Sequence, residues 1–169
     1  MSDDKSPGMT MHQPGPEQAR FKPFVGTFRA QVKLWMGPGD PMVSTGTMTN
    51  TLDLGGLFLR HTYKGDPSPG PFPSFEGRGF WGYNQTVKRY EGFWIDNVSS
   101  IMQSDSGTLD ASGKVWTMHG QMPDPQTGDT ISKRSVITLQ DNDRHKLEMF
   151  FSKGGQEFRG MEIQYTRQA

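Results

Sequence analysis

GRGFWGYN, residues Gly77 to Asn84, can be read in two incompatible ways. As G-x-G-x-x-G it spells a dinucleotide-binding turn, and Asp96 stands close to where a ribose ligand would be expected. That fingerprint requires a buried parallel strand before it and a helix after it. Pro71-Phe72-Pro73-Ser74 cannot supply the strand, because proline has no amide to donate to a sheet. The residues that follow, YNQTVKRYEGFW, place β-branched and aromatic side chains around a polar turn and start no amphipathic helix. The second reading rests on a repeat: Gly79-Phe80-Trp81 recurs as Gly92-Phe93-Trp94. A hairpin turning between Asn84 and Arg89 pairs Tyr83 with Tyr90, Trp81 with Gly92, and Gly79 with Trp94. Each indole then lies over a glycine of the neighbouring strand, an arrangement worth about 0.2–1 kcal/mol per cross-strand pair. The glycines also allow sharp strand coiling. The stretch is therefore read as sheet.

The same reading extends in both directions. In TFRAQVKLWM, Phe28, Ala30, Val32, Leu34 and Met36 share one face while Arg29, Gln31 and Lys33 share the other, the alternation of a half-buried strand. Before it, Pro16 to Phe24 is expected to form a brief helical turn ended by Gly26. Further strands are expected at Met42–Leu54, Leu57–Lys64, Phe75–Tyr83, Lys88–Asp96, Ser99–Ser104, Lys114–Met122, Ser132–Gln140, His145–Ser152 and Glu157–Arg167. Between them lie GPGDP, DASG, PDPQTGD, DNDR and KGG, all turn chemistry. The loop GDPSPGPFPS, 65–74, is stiff and extended, and its Phe72 is placed to cover a barrel mouth. About ten strands joined by short hairpins leave no room for parallel crossovers. An antiparallel up-and-down barrel is favoured over a sandwich, since consecutive hairpins with no long return form a meander and closure removes edges.

Composition sets the remaining bounds. The chain has 169 residues, 21 of them glycine and 12 proline, which favours turns over long helices. Eighteen basic and 18 acidic residues cancel, so no basic surplus points to nucleic acid or to an anionic membrane surface. Cysteine is absent, which removes disulfides, thiolate nucleophiles and cysteine-ligated zinc. Residues 1–15 read as a polar, disordered tail without the apolar core of a signal peptide, followed by one domain over 16–169; a cytoplasmic location is expected.

The opening FKPFVGTFRAQVKLW resembles the start of calycins, the lipocalin and fatty-acid-binding superfamily, with Gly26-Thr27-Phe28 standing where Gly-x-Trp is usual. The resemblance implies that Arg167, in QYTR, closes over Phe28 from the last strand. With LDLGGLFLR, GxGFWGYN, Trp94-x-Asp96 and Met161-x-x-x-Tyr165-x-Arg167, the pattern from Phe21 to Arg167 is similar to the uncharacterised bacterial family called domain of unknown function 1579. The family implies a calycin-like fold and carries no assigned activity. Some calycin-like barrels bind haem through one histidine, but neither His61 nor His145 sits in a recognisable pattern, and no cofactor or metal is expected.

Candidate site residues follow from strand parity. If Leu57 and Leu59 point into the barrel, His61 and Tyr63 do too. His61 is the favoured site residue, as a lumen donor or base; the plainer reading is a hydrogen-bonded histidine at a rim or in the core. In KVWTMHGQM, His119 shares a face with Val115 and Thr117, and Trp116 and Met118 share the other; His119 is carried as the second lumen candidate. His145, following the turn Asp141–Arg144, is expected to be exposed. Trp81, Tyr90 and Trp94 are read first as sheet structure and second as cavity lining. Six methionines expected in strands, Met36, Met48, Met102, Met118, Met149 and Met161, would either fill gaps or line an adaptable cavity. H-E-x-x-H and G-x-S-x-G are absent. The expected function is binding of a small apolar or amphipathic molecule among His61, Tyr63, Trp81, Tyr90, Trp94, His119 and Met149. Two alternatives stand beside it: a filled barrel that self-associates, and an isomerase or hydrolase using a lumen histidine. Zero net charge and outward apolar residues such as Trp35 allow a homodimer.

Overall fold

The computed structural model describes residues 11–68 and 74–169. The expected tail up to residue 10, and Phe72 with its role over the barrel mouth, lie outside the described residues. Ten strands form one closed antiparallel barrel in sequence order. They are β1 (Gly26–Leu34), β2 (Met42–Asp53), β3 (Phe58–Gly65), β4 (Glu76–Asn84), β5 (Arg89–Asp96), β6 (Gln103–Leu109), β7 (Val115–Pro123), β8 (Thr130–Leu139), β9 (Arg144–Lys153) and β10 (Gln156–Arg167). Closure comes from β1 pairing with β10, from Phe28 opposite Arg167 to Leu34 opposite Met161.

The Gly-Trp repeat takes the expected register: Gly79 opposite Trp94, Trp81 opposite Gly92, Tyr83 opposite Tyr90. The stacking differs from expectation on one side. The Trp94 indole lies over Gly79 and Gly77, so that a Cβ at Gly79 would stand 2.7 Å from both the Phe93 carbonyl oxygen and the Trp94 ring. Trp81 instead turns away from Gly92 into an aromatic cluster, and the space beside Gly92 is taken by Asp105.

One strand is displaced. The sixth was expected over 99–104 and runs instead over Gln103–Leu109. The Asp96 carboxylate accepts from the backbone amides of Val98 and Ser99, both at 3.1 Å, and holds that segment as a turn. Met102, expected in that strand, therefore sits exposed in a loop, and so does Met36, because β1 ends at Leu34.

A plug closes one end. Helix α1 (Pro16–Ala19) begins with proline at its first turn, and the Gln18 side chain accepts from the Gly15 amide at 2.9 Å. A 3-10 turn, Lys22–Phe24, follows. Together they push Phe21 and Phe24 into the barrel, where they pack with Leu59, Trp81, Tyr90, Trp116 and Met118. Phe24 meets Trp116 edge-on at 5.3 Å and Trp81 at 5.5 Å between ring centroids. Each such side chain, fully buried, contributes roughly 1.5–3 kcal/mol. Arg167 lies over the Phe28 ring, 4.6 Å from its centroid, as the calycin resemblance implied. Its guanidinium also donates to the carbonyls of Val25, Pro23 and Asn142, each at 2.7 Å, tying the last strand to the plug.

Candidate functional site

Alternation along the strands divides the interior into two halves. At the plugged end, Phe21, Phe24, Leu59, Trp81, Tyr90, Trp116 and Met118 form one buried cluster, with Val25, Tyr83, Leu109, Ile137 and Leu139 half buried around it. Toward the opposite end, Phe28, Ala30, Met48, Tyr63, Ile163 and Tyr165 form a second cluster, and Val32, Phe75, Trp94, Leu147 and Met161 pack against it while remaining only half buried. Met149 belongs to the same wall: it pairs with buried Ser135 on one side and Met161 on the other, and it too keeps accessible surface. These apolar side chains turn inward and are left partly uncovered.

The seven candidate residues separate on this geometry. Trp81 and Tyr90 lie in the plugged half. The Tyr90 hydroxyl donates to the Glu17 carboxylate at 2.8 Å, so it clamps the plug, and burial raises its pKa. His61, Tyr63, Trp94 and Met149 face the upper half. His119 does not face the lumen: it stands exposed on the outer surface opposite Ser106 and Arg134, because Trp116 and Met118 take the inward positions of β7. His145 also departs from expectation. Instead of being exposed it is buried at 5% relative exposure, stacked on Tyr165 at 4.5 Å and set edge-on to Phe28 at 4.7 Å and Phe24 at 5.0 Å. The plug and the first strand cover a position that its own turn would leave open.

His61 sits between the two halves, 6.4 Å from the Trp81 ring, with its Nδ1 2.8 Å from Asn50 Oδ1. Burial lowers its pKa to about 4. The residue is part-buried and retains accessible surface. Burial lowers His145 further, to about 3, with smaller contributions from His61 and Arg167. Both imidazoles are therefore neutral near pH 7. Among the described residues, three buried polar atoms of the interior, His145 Nδ1, Ser135 Oγ and Trp116 Nε1, have no hydrogen-bond partner.

Sequence reasoning did not find an ion pair in the upper lumen. Lys133 Nζ lies 3.2 Å from Asp105 Oδ2, with the two side chains 5% and 16% exposed. Lys133 and Asp105 both flank Gly120, across which they meet. The signal was available in that glycine and in Lys133 sharing a face with Ile137 and Leu139, but it becomes legible only once β6, β7 and β8 are aligned.

On the outer surface a groove of about 900 Å³ crosses β3 to β8. Phe58, Phe80 and Phe93 line one stretch of it, and Ser104, Ser106, His119, Gly120 and Ser132 another. Among the described residues, no group of three or more His, Asp or Glu side chains is arranged to hold a metal ion. Among the same residues, no helix is long and apolar enough to cross a membrane.

Fold and interior together define a ten-stranded, calycin-like antiparallel β-barrel, a fold capable of enclosing a small molecule. The chain belongs to the family described as protein of unknown function (DUF1579), whose model matches residues 13–167. Its fold is similar to that of Rv2717c from M. tuberculosis, at 14% identity and a TM-score of 0.65, covering 92% of this chain and 99% of that one. It is similar also to the S-type phycobiliprotein lyase CPES from Guillardia theta, at 11% identity and a TM-score of 0.59, covering 92% and 99%. At such identities the likeness concerns the fold alone. No curated protein matches the chain.

Proposed function

We propose that this protein binds a small apolar or amphipathic molecule in the upper half of its barrel, between Trp94, Met149, Met161 and Tyr63. The observation that carries this reading is the incomplete burial of inward-facing Val32, Trp94, Leu147, Met149 and Met161 at the end of the barrel away from the plug. A wall of methionine and tryptophan accommodates varied shapes, and Lys133 with Asp105 supplies a polar edge. The test is titration with the uncharged fluorophore N-phenyl-1-naphthylamine, read by energy transfer from tryptophan. Met149→Trp, which fills the wall, is expected to abolish saturable binding while the circular dichroism spectrum is retained. Saturable binding that persists unchanged in Met149→Trp would move the site elsewhere.

A second reading rests on the outer groove. Phe58 and Phe80 are 37% and 38% exposed, and apolar side chains in a surface groove favour self-association. A dimer in sedimentation equilibrium that Phe80→Asp converts to monomer supports it; a monomer at all concentrations contradicts it.

A further inference from the structure

We propose that the ligand is held by a hydrogen bond donated from its own hydroxyl or N–H group to Nε2 of His61. This rests on the lumen-binding reading and specifies the chemistry of the molecule that enters.

The inference follows from a short chain of bonds. The Phe24 carbonyl can only accept, so the Asn50 atom 2.9 Å from it is the amide nitrogen, Nδ2. That fixes the amide orientation and makes Oδ1 the atom facing His61 Nδ1 at 2.8 Å. An amide oxygen can only accept, so His61 Nδ1 carries the proton. A neutral imidazole has one proton, so Nε2 is a bare lone pair. The plug therefore sets the tautomer: backbone carbonyl, asparagine and histidine act as one relay, from the closed end of the barrel to its interior.

Among the described residues nothing donates to Nε2. The neighbouring position across β4 is Gly79, which has no side chain to offer. Nε2 keeps accessible surface, so a donor from outside the chain can reach it. From the other side of the barrel, five strands away in either direction, Ser135 Oγ also lacks a partner. The interior thus presents an acceptor whose orientation is enforced. It favours phenols, indoles, alcohols or amides over ethers and hydrocarbons of the same shape.

The experiment has two arms. Nitrogen-15 correlation spectra of the free protein near pH 7 report the tautomer directly: the proton is expected on Nδ1 of His61, and a proton on Nε2 overturns the proposal. Next, 2-naphthol and 2-methoxynaphthalene are titrated into the wild type and His61→Leu. The wild type is expected to prefer naphthol by roughly tenfold, the scale of one buried hydrogen bond, and His61→Leu to lose that preference while still binding the ether. Equal binding of both probes by the wild type overturns the role of His61 and leaves lumen binding standing. Binding of neither overturns both. Should His61→Leu fail to fold, His61→Gln serves, since preference for naphthol over its ether in the wild type remains the deciding measurement.

Discussion

Acid should unfold this barrel through its two interior histidines, at a pH where most carboxylates are still charged. Unfolded, each imidazole titrates near 6.5; folded, burial lowers His61 to about 4 and His145 to about 3. Between those values the unfolded chain binds more protons, so stability rises with pH across the window and is lost as pH falls from the unfolded value toward the folded ones. Near pH 5 the unfolded imidazole is almost fully protonated and the folded one almost fully neutral. The cost is then about 2 kcal/mol for each histidine, or about 4 kcal/mol for the pair, a large part of a typical 5–15 kcal/mol. The assay is urea unfolding near pH 7 and near pH 5 for the wild type, His61→Gln and His145→Phe. Each variant should lose about 2 kcal/mol of the pH-dependent drop, whatever its stability near neutrality, because the carboxylate contribution is common to all. If all three proteins show the same drop, or the wild type none, both imidazoles are charged or solvated and the interior assigned here is wrong.

Other expected outcomes are specific to single contacts. Arg167→Lys keeps the charge but loses the fork that holds the carbonyls of Val25, Pro23 and Asn142, and should cost about 2–3 kcal/mol in denaturant unfolding. Lys133→Met leaves Asp105 buried and unpaired and should cost about 3 kcal/mol, while adding Asp105→Leu should recover most of it; equal losses in single and double variants would show that the pair is solvated. Gly79→Ala places a methyl group 2.7 Å from the Trp94 ring, so it should both destabilise the protein and shift Trp94 emission; an unchanged spectrum would contradict the stacking.

Much of the fold was written in local pattern. The Gly-Phe-Trp repeat specified the β4–β5 register because both tryptophans oppose glycines in only one alignment of that hairpin. Most strands were legible because turn residues stop them, as Asp53, Gly65, Asp96 and Pro123 do. Where local pattern failed, distant contacts decided. His145 looked exposed because its own turn is polar; Phe24 and Phe28, more than a hundred residues away, bury it. His119 followed its strand partners Val115 and Thr117 outward once Trp116 entered the cluster around Phe24. The Lys133–Asp105 pair and the Asn50–His61 relay are each assembled across strands, so no spacing along the chain announces them.

The central claim, an upper lumen that holds a small molecule, is tested most directly by native mass spectrometry of freshly purified protein. The account predicts a retained adduct of small-molecule mass on the wild type that is absent from Met149→Trp purified in parallel. A wild-type spectrum showing bare chain alone, together with no saturable uptake of the naphthalene probes, would contradict it.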